Sequence, residues 1–89
     1  MRITFDRTKD ATNQALHGVP LALASELVWD EMIAMLDTRK DYGEARMIGY
    51  APLGNRLFCV VFVDRGDARR IISLRKANSR EVKAYESET

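Results

Sequence analysis

Arg56-Leu57-Phe58-Cys59-Val60-Val61-Phe62-Val63-Asp64-Arg65-Gly66-Asp67-Ala68-Arg69-Arg70-Ile71-Ile72-Ser73-Leu74-Arg75-Lys76 is the stretch that decides the fold. Its first half is a near-continuous apolar run of β-branched and aromatic residues, the composition of a strand covered on both faces. Arg65-Gly66-Asp67 is a tight turn by composition, and a second β-branched strand follows from Ala68 to Lys76. A connection this short makes the two strands an antiparallel pair. In strict alternation, Arg69, Ile71, Ser73 and Arg75 share one face, and Arg70, Ile72, Leu74 and Lys76 share the other. Upstream, Ala45–Ala51 reads as a strand with Arg46, Ile48 and Tyr50 on one face. Pro52-Leu53-Gly54-Asn55 turns it into the apolar run, and Glu31–Leu36 is a further short strand. Downstream, Asn78 or Ser79 caps a helix running to about Glu86, with Glu81 placed as the far half of a capping box.

The N-terminal third reads differently. Arg2–Phe5 is a short strand candidate, and Asp6 stands as N-cap of a helix that stops at Gly18. The apolar stripe of that helix, Ala11, Ala15 and Leu16, is weak, which predicts a largely solvated helix. Lys9, Asn13 and His17 recur every four residues on one polar stripe, the pattern of a solvent face. Pro20 opens a second helix over Leu21–Val28, with Leu21, Leu23, Ala24, Leu27 and Val28 facing inward. The expected fold is α+β: two N-terminal helices packed on a four-stranded antiparallel sheet, with a C-terminal helix, in one domain over residues 1–89.

Composition excludes several classes. The 89 residues carry 14 Lys and Arg against 13 Asp and Glu, so no global charge imbalance exists. Yet between Arg65 and Lys83, the cations Arg65, Arg69, Arg70, Arg75, Lys76, Arg80 and Lys83 face only Asp67 and Glu81. A basic strand end of this kind suits a polyanion, or merely blunts a sheet edge. No apolar run is long enough to span a membrane and no secretory signal is evident, so a cytoplasmic protein is expected. Cys59 is the single cysteine and sits within the apolar run, where it reads as a small core residue. No phosphate-binding Gly loop, hydrolase triad or metal-ligand cluster is present, so no cofactor and no metal are expected. His17 is the only imidazole. It suits a general base, and equally a cap on the last carbonyls of its helix.

The ordered motifs resemble one family. Phe5-Asp6, Lys9, Asn13 and His17-Gly18-Val19 are similar to the N-terminal signature of BrnT toxins. Asp37-Thr38-Arg39 and Tyr42-Gly43-Glu44-Ala45-Arg46 resemble its middle motif, an acidic loop followed by Glu-x-Arg. Arg65-Gly66-Asp67 and Arg70-Ile71-Ile72-Ser73-Leu74-Arg75-Lys76-Ala77-Asn78 resemble its C-terminal hallmark. Phe5 stands where the family has Trp, and Leu16 where a cation commonly precedes the His. The resemblance spans Phe5 to Tyr85. It implies a RelE-like ribonuclease toxin of a type II toxin–antitoxin pair that cleaves RNA without metal, arrests translation and is neutralised by a BrnA-like antitoxin. Operator DNA would be bound only through the antitoxin complex.

Under that resemblance, Arg46 and Arg75 are the candidates for stabilising a phosphorane, with Lys76 nearby. His17 and Lys9 are the candidates for proton transfer or substrate positioning. Arg65, Arg70, Arg80 and Tyr85 are the candidate RNA contacts. The alternative is a non-catalytic nucleic-acid or antitoxin-binding module on the same fold.

Overall fold

A computed structural model describes residues 1–89. The strands are β1 (Arg2–Phe5), β2 (Ile33–Leu36), β3 (Arg46–Leu53), β4 (Arg56–Arg65) and β5 (Ala68–Lys76). Two α-helices, α1 (Arg7–His17) and α2 (Ser79–Ser87), flank 3-10 segments at Leu21–Glu26 and Trp29–Glu31. The strands form one sheet in the order β1-β5-β4-β3-β2. As the apolar run predicts, β4 is central and every residue from Leu57 to Val63 is buried.

Two parts of the expected fold are corrected. The sheet has five strands and is mixed, because β1 lies parallel to β5 with Ile3 beside Arg69 and Phe5 beside Ile71. No local signal announces that pairing, since its partners lie at opposite ends of the chain. The second N-terminal helix is not an α-helix. Leu21, Ala24 and Leu27 are all buried, a spacing of three that matches the eclipsed faces of a 3-10 turn. The structure therefore has one N-terminal α-helix and one C-terminal α-helix around a mixed sheet.

The core lies between one sheet face and the N-terminal segments. Phe58, Val60 and Phe62 of β4 and Ile71 and Leu74 of β5 meet Val19, Leu21, Ala24 and Leu27 there. Each such side chain contributes about 1.5–3 kcal/mol through removal from water. Trp29 meets Phe62 edge-on, with ring centroids 5.7 Å apart, and its indole N–H donates to the Ala24 carbonyl. Gly49 leaves room for Met32: a Cβ there would fall 2.5 Å from the Met32 sulfur.

The most consequential side chain outside this core is Asn13. It is 4% exposed, so the Lys9–Asn13–His17 stripe is not simply a solvent face. Beyond Phe5, the outer edge of β5 has no strand partner. Asn13 takes that place: its Oδ1 accepts from the Leu74 N–H at 3.1 Å and its Nδ2 donates to the Leu74 carbonyl at 2.8 Å. The same Nδ2 donates to the Val19 carbonyl at 2.7 Å. One amide therefore continues the ladder and fixes the turn after α1, where Gly18 adopts the expected left-handed cap with φ of 70°. Asp10 completes the attachment, accepting from the Leu21 N–H at 2.8 Å. Ala11, Ala15 and Leu16 remain exposed, so polar bonds at one buried position anchor α1 where its apolar stripe does not.

Asn13→Ala leaves three buried backbone groups without partners and is expected to cost about 2–4 kcal/mol, a large share of a domain's roughly 5–15 kcal/mol. Urea denaturation of wild type and variant measures this. A loss below about 1 kcal/mol would mean that the amide is not the anchor.

Candidate functional site

The sheet face opposite the core carries the polar side chains, and register arranges them in rows. At Val61/Phe62 the β4–β5 register shifts: Val61 pairs with Ser73, Phe62 pairs with Ile71, and Ile72 is left over. This bulge reverses the alternation along β5. Arg69 and Ile71 share the core face with Leu74, whereas Arg70, Ser73 and Arg75 share the open face. The simple period-2 reading, which grouped Arg69 with Arg75 and separated Arg70 from it, is corrected by that single residue.

Three rows cross the open face. The first is Arg46–Val63–Arg70, continued to Thr4 on β1. The second is Ile48–Val61–Ser73, and the third is Tyr50–Cys59–Arg75. Two strand spacings, about 10 Å, separate Arg46 from Arg70. Val63 between them is only 2% exposed. The Arg46 guanidinium lies over the Tyr42 ring, with Cζ 3.8 Å from its centroid. Its Nε is buried and has no hydrogen-bond partner. Arg70 has no carboxylate partner either, since the five ion pairs of the structure use other arginines.

The loop from β2 to β3 builds the platform under Arg46. Asp37 is buried, and its carboxylate receives the Arg39 backbone N–H and both arms of the Arg39 guanidinium. Those bonds hold the Asp37 carboxyl well below the usual carboxylate range, against the opposing effect of burial. The Asp37 N–H donates to the Arg46 carbonyl at 2.7 Å, so the clamp is tied to the start of β3. Tyr42, between this clamp and Arg46, also carries the Lys40 ammonium 5.4 Å from its centroid.

The third row is covered by α2. Arg75 and Glu81 form a bidentate pair at 2.9 and 2.8 Å, and the Tyr50 hydroxyl donates to Glu81 at 3.0 Å. Glu81 also accepts from the Asn78 N–H and closes the expected capping box. The Arg75 guanidinium, followed by these other donors, holds the Glu81 carboxyl at about 2. Burial, then the neighbouring Cys59 and Glu81, pushes the Tyr50 hydroxyl above its ordinary range. Burial likewise raises the Cys59 thiol, which is a core residue as expected. At the far end of α2, Tyr85 donates to the Glu31 carbonyl at 2.6 Å. No residue of α2 is buried, so these polar bonds are its main fastening.

A separate cleft of about 250 Å³ lies along the outer edge of β5. Lys9 and His17 line it from α1, and Ile72 and Ser73 from the bulge. Ser73 belongs to both the cleft and the middle row, which makes it the link between them.

The candidates therefore divide. Arg46 and Arg70 share the first row, and Lys9 and His17 share the cleft. Arg75 is on the open face but engaged by Glu81. Lys76 pairs with Phe58 and so lies on the opposite face from Arg75. Arg65 is held by Glu44 through both guanidinium arms, and Arg80 is exposed on α2. The basic C-terminal third is thus partly neutralised: Arg65, Arg69 and Arg75 hold carboxylates, whereas Arg70, Lys76, Arg80 and Lys83 hold none. Arg69 additionally packs over Phe62 and Trp29, away from the open face. Tyr42, Tyr50 and Ser73 carry no role in the sequence reading. The aromatic four residues before Arg46 and the shared alternation of Arg46 with Tyr50 are the available signals. No group of three or more His, Cys, Asp or Glu is placed to hold a metal ion.

A family model for ribonuclease toxins, described as BrnT of type II toxin–antitoxin systems, matches residues 5–81 of the 89. The chain belongs to the BrnT family. Membership makes it a ribonuclease toxin by family, with an antitoxin as partner. No curated protein matches the chain. No helix is long and apolar enough to cross a membrane.

Because the folded Glu81 carboxyl titrates near 2 rather than its ordinary 4.5, its pairing stabilises the fold fully above about pH 4.5. That contribution is lost as pH falls from 4.5 towards 2. Glu81→Gln should therefore melt below wild type near pH 7, with the gap closing across that acid window. A gap that stays constant with pH would show that the Arg75 pair does not fasten α2.

Proposed function

We propose that this chain cleaves RNA on the open sheet face without a metal, and thereby arrests translation in the cytoplasm. We infer in addition a BrnA-like antitoxin as its inhibitor, with operator DNA reached only through that complex. The observation that carries the proposal is the first row. Two arginines, both free of carboxylates, flank a dry apolar residue, and one has an unsatisfied buried Nε. Free of carboxylates, both guanidiniums can offer their remaining donors to phosphate oxygens.

Cleavage requires that the 2′-hydroxyl lose its proton and its oxygen attack phosphorus. The resulting phosphorane must be stabilised, and the departing 5′-oxygen must gain a proton. Arg46 and Arg70 suit the second task, because planar guanidiniums match phosphate oxygens in pairs. Stacking on Tyr42 restricts Arg46 before substrate arrives, which lowers the ordering cost of binding. Neither arginine suits proton transfer, since a guanidinium stays protonated throughout the working range. The cleft supplies the remaining groups: His17 for proton transfer and Lys9 for substrate positioning, beside Ser73. Arg75 is a positioning residue in this reading, because Glu81 already takes two of its donor arms. Arg80 and Lys76 add long-range attraction for RNA, while Arg65 and Tyr85 contribute less because Glu44 and the Glu31 carbonyl engage them.

The test is purified chain with RNA, in the presence of a chelator, with and without ribosomes. Arg46→Ala and Arg70→Ala are each expected to slow cleavage by about 100-fold or more, and Arg46→Lys to fail to rescue it. His17→Ala should alter the pH dependence of the rate, not only its size. Full activity in both arginine variants would refute the site. RNA that is retarded but never cut would instead support the non-catalytic binding module.

A further inference from the structure

The outer edge of the sheet beyond β2 has no covering element. Ile33-Ala34-Met35-Leu36 carries no charge and no proline, so it lacks the usual protections of an edge strand. Met35 and Leu36 are each 55% exposed. The edge also has a defined polarity. The Asp37 N–H donates to the Arg46 carbonyl, which makes that register position a hydrogen-bonded pair. Antiparallel alternation then makes Met35–Ile48 and Ile33–Tyr50 the other bonded pairs. The N–H and C=O groups of Ala34 and Leu36 consequently point off the sheet, unpaired.

A cavity of about 180 Å³ adjoins this edge on the open face. Ile33, Met35, Tyr50, Ala84 and Tyr85 give it mainly apolar walls, and Glu81 and Glu88 stand at its polar side. Glu81 is neutralised by Arg75, but Glu88, the nearby Glu86 and Glu31 have no ion-pair partner. The edge therefore offers backbone donors and acceptors, an apolar recess and an acidic rim together.

We propose that an extended segment of the antitoxin pairs with β2 as a sixth strand, placing an apolar side chain in this cavity and basic residues against Glu31, Glu86 and Glu88. Main-chain bonds from Ala34 and Leu36 supply affinity, and the cavity and rim supply selectivity. Charge disfavours a second copy of the chain as the occupant. The other end of β2 is neutral, with Asp37 beside Arg39 and Lys40 beside Asp41, so a copy brings no net positive charge to the rim. Area disfavours it too. A four-residue edge paired with its own twin buries far less than the roughly 1,200 Å² of a stable interface, whereas a flexible segment can continue along α2. The inference rests on the family having an antitoxin partner and is independent of which residues cut RNA.

The experiment is amide hydrogen exchange on the chain alone and in complex with the antitoxin co-expressed with it. Protection of the Ala34 and Leu36 amides is expected on complex formation. Leu36→Pro removes an outward-facing N–H without breaking a bond to β3, and should weaken antitoxin binding by about 100-fold with the fold and RNA cleavage retained. Met35→Glu and Glu88→Lys, which leave the backbone intact, should each weaken binding about tenfold. A complex in which Ala34 and Leu36 exchange as in the free chain would overturn the proposal. Protection of those amides in the chain alone, as a dimer, would assign the edge to a second copy and overturn it as well. Loss of RNA cleavage in the first-row arginine variants with antitoxin binding unchanged separates this surface from the cleavage site.

Discussion

The architecture depends on a carboxamide acting as a strand. At Leu74 the sheet edge is open, and Asn13 offers one acceptor and one donor at the spacing a neighbouring backbone would present. Its additional bond to Val19 sets where the chain turns back toward the 3-10 segment. Without it, α1 has little to hold it, since its apolar residues are exposed. With it, Lys9 and His17 are held one turn on either side of a fixed point, beside the bulge that brings Ser73 to the open face. A structural bond thus determines where Lys9 and His17 reside, at the cleft along β5.

The same economy governs charge. The basic C-terminal third reads in sequence as an undivided patch, but folding pairs Arg65, Arg69 and Arg75 with carboxylates. Glu44 reaches from the β2–β3 loop to Arg65 at the end of β4, and Glu81 turns back from α2 onto Arg75. On the open face, what remains free of carboxylates is Arg46 on its tyrosine and Arg70 across a buried valine, while Lys76, Arg80 and Lys83 stay exposed elsewhere. Apolar surroundings strengthen interactions along that row.

Much of this was legible from the residues. The central strand, the hairpin turns, the capped C-terminal helix and the left-handed Gly18 follow from composition and local chemistry. The parallel pairing of β1 with β5 was not, because it joins chain ends and leaves no periodic trace. The 3-10 segment is written in the spacing of Leu21, Ala24 and Leu27, a period of three rather than 3.6. The grouping of Arg70 with Arg75 was hidden by one unpaired isoleucine in an otherwise regular strand. Asn13 was visible as part of a recurring stripe, but its burial was not, because an amide facing a strand edge looks in sequence like one facing water. Ordered motifs identified the family before any of these details were resolved.

In the proposed complex, RNA lies across the open face, from the Arg46–Arg70 row over Ser73 into the cleft of Lys9 and His17. Titrating the isotope-labelled chain with a short 2′-O-methyl RNA, which binds but lacks the attacking hydroxyl, tests this placement most directly. Coordinated NMR shifts are expected at Tyr42, Arg46, Arg70, Ser73 and His17, with Arg69 and Leu36 unchanged. Shifts confined to the Arg65–Arg69 turn or to α2, with Arg46 and Ser73 silent, would contradict this placement.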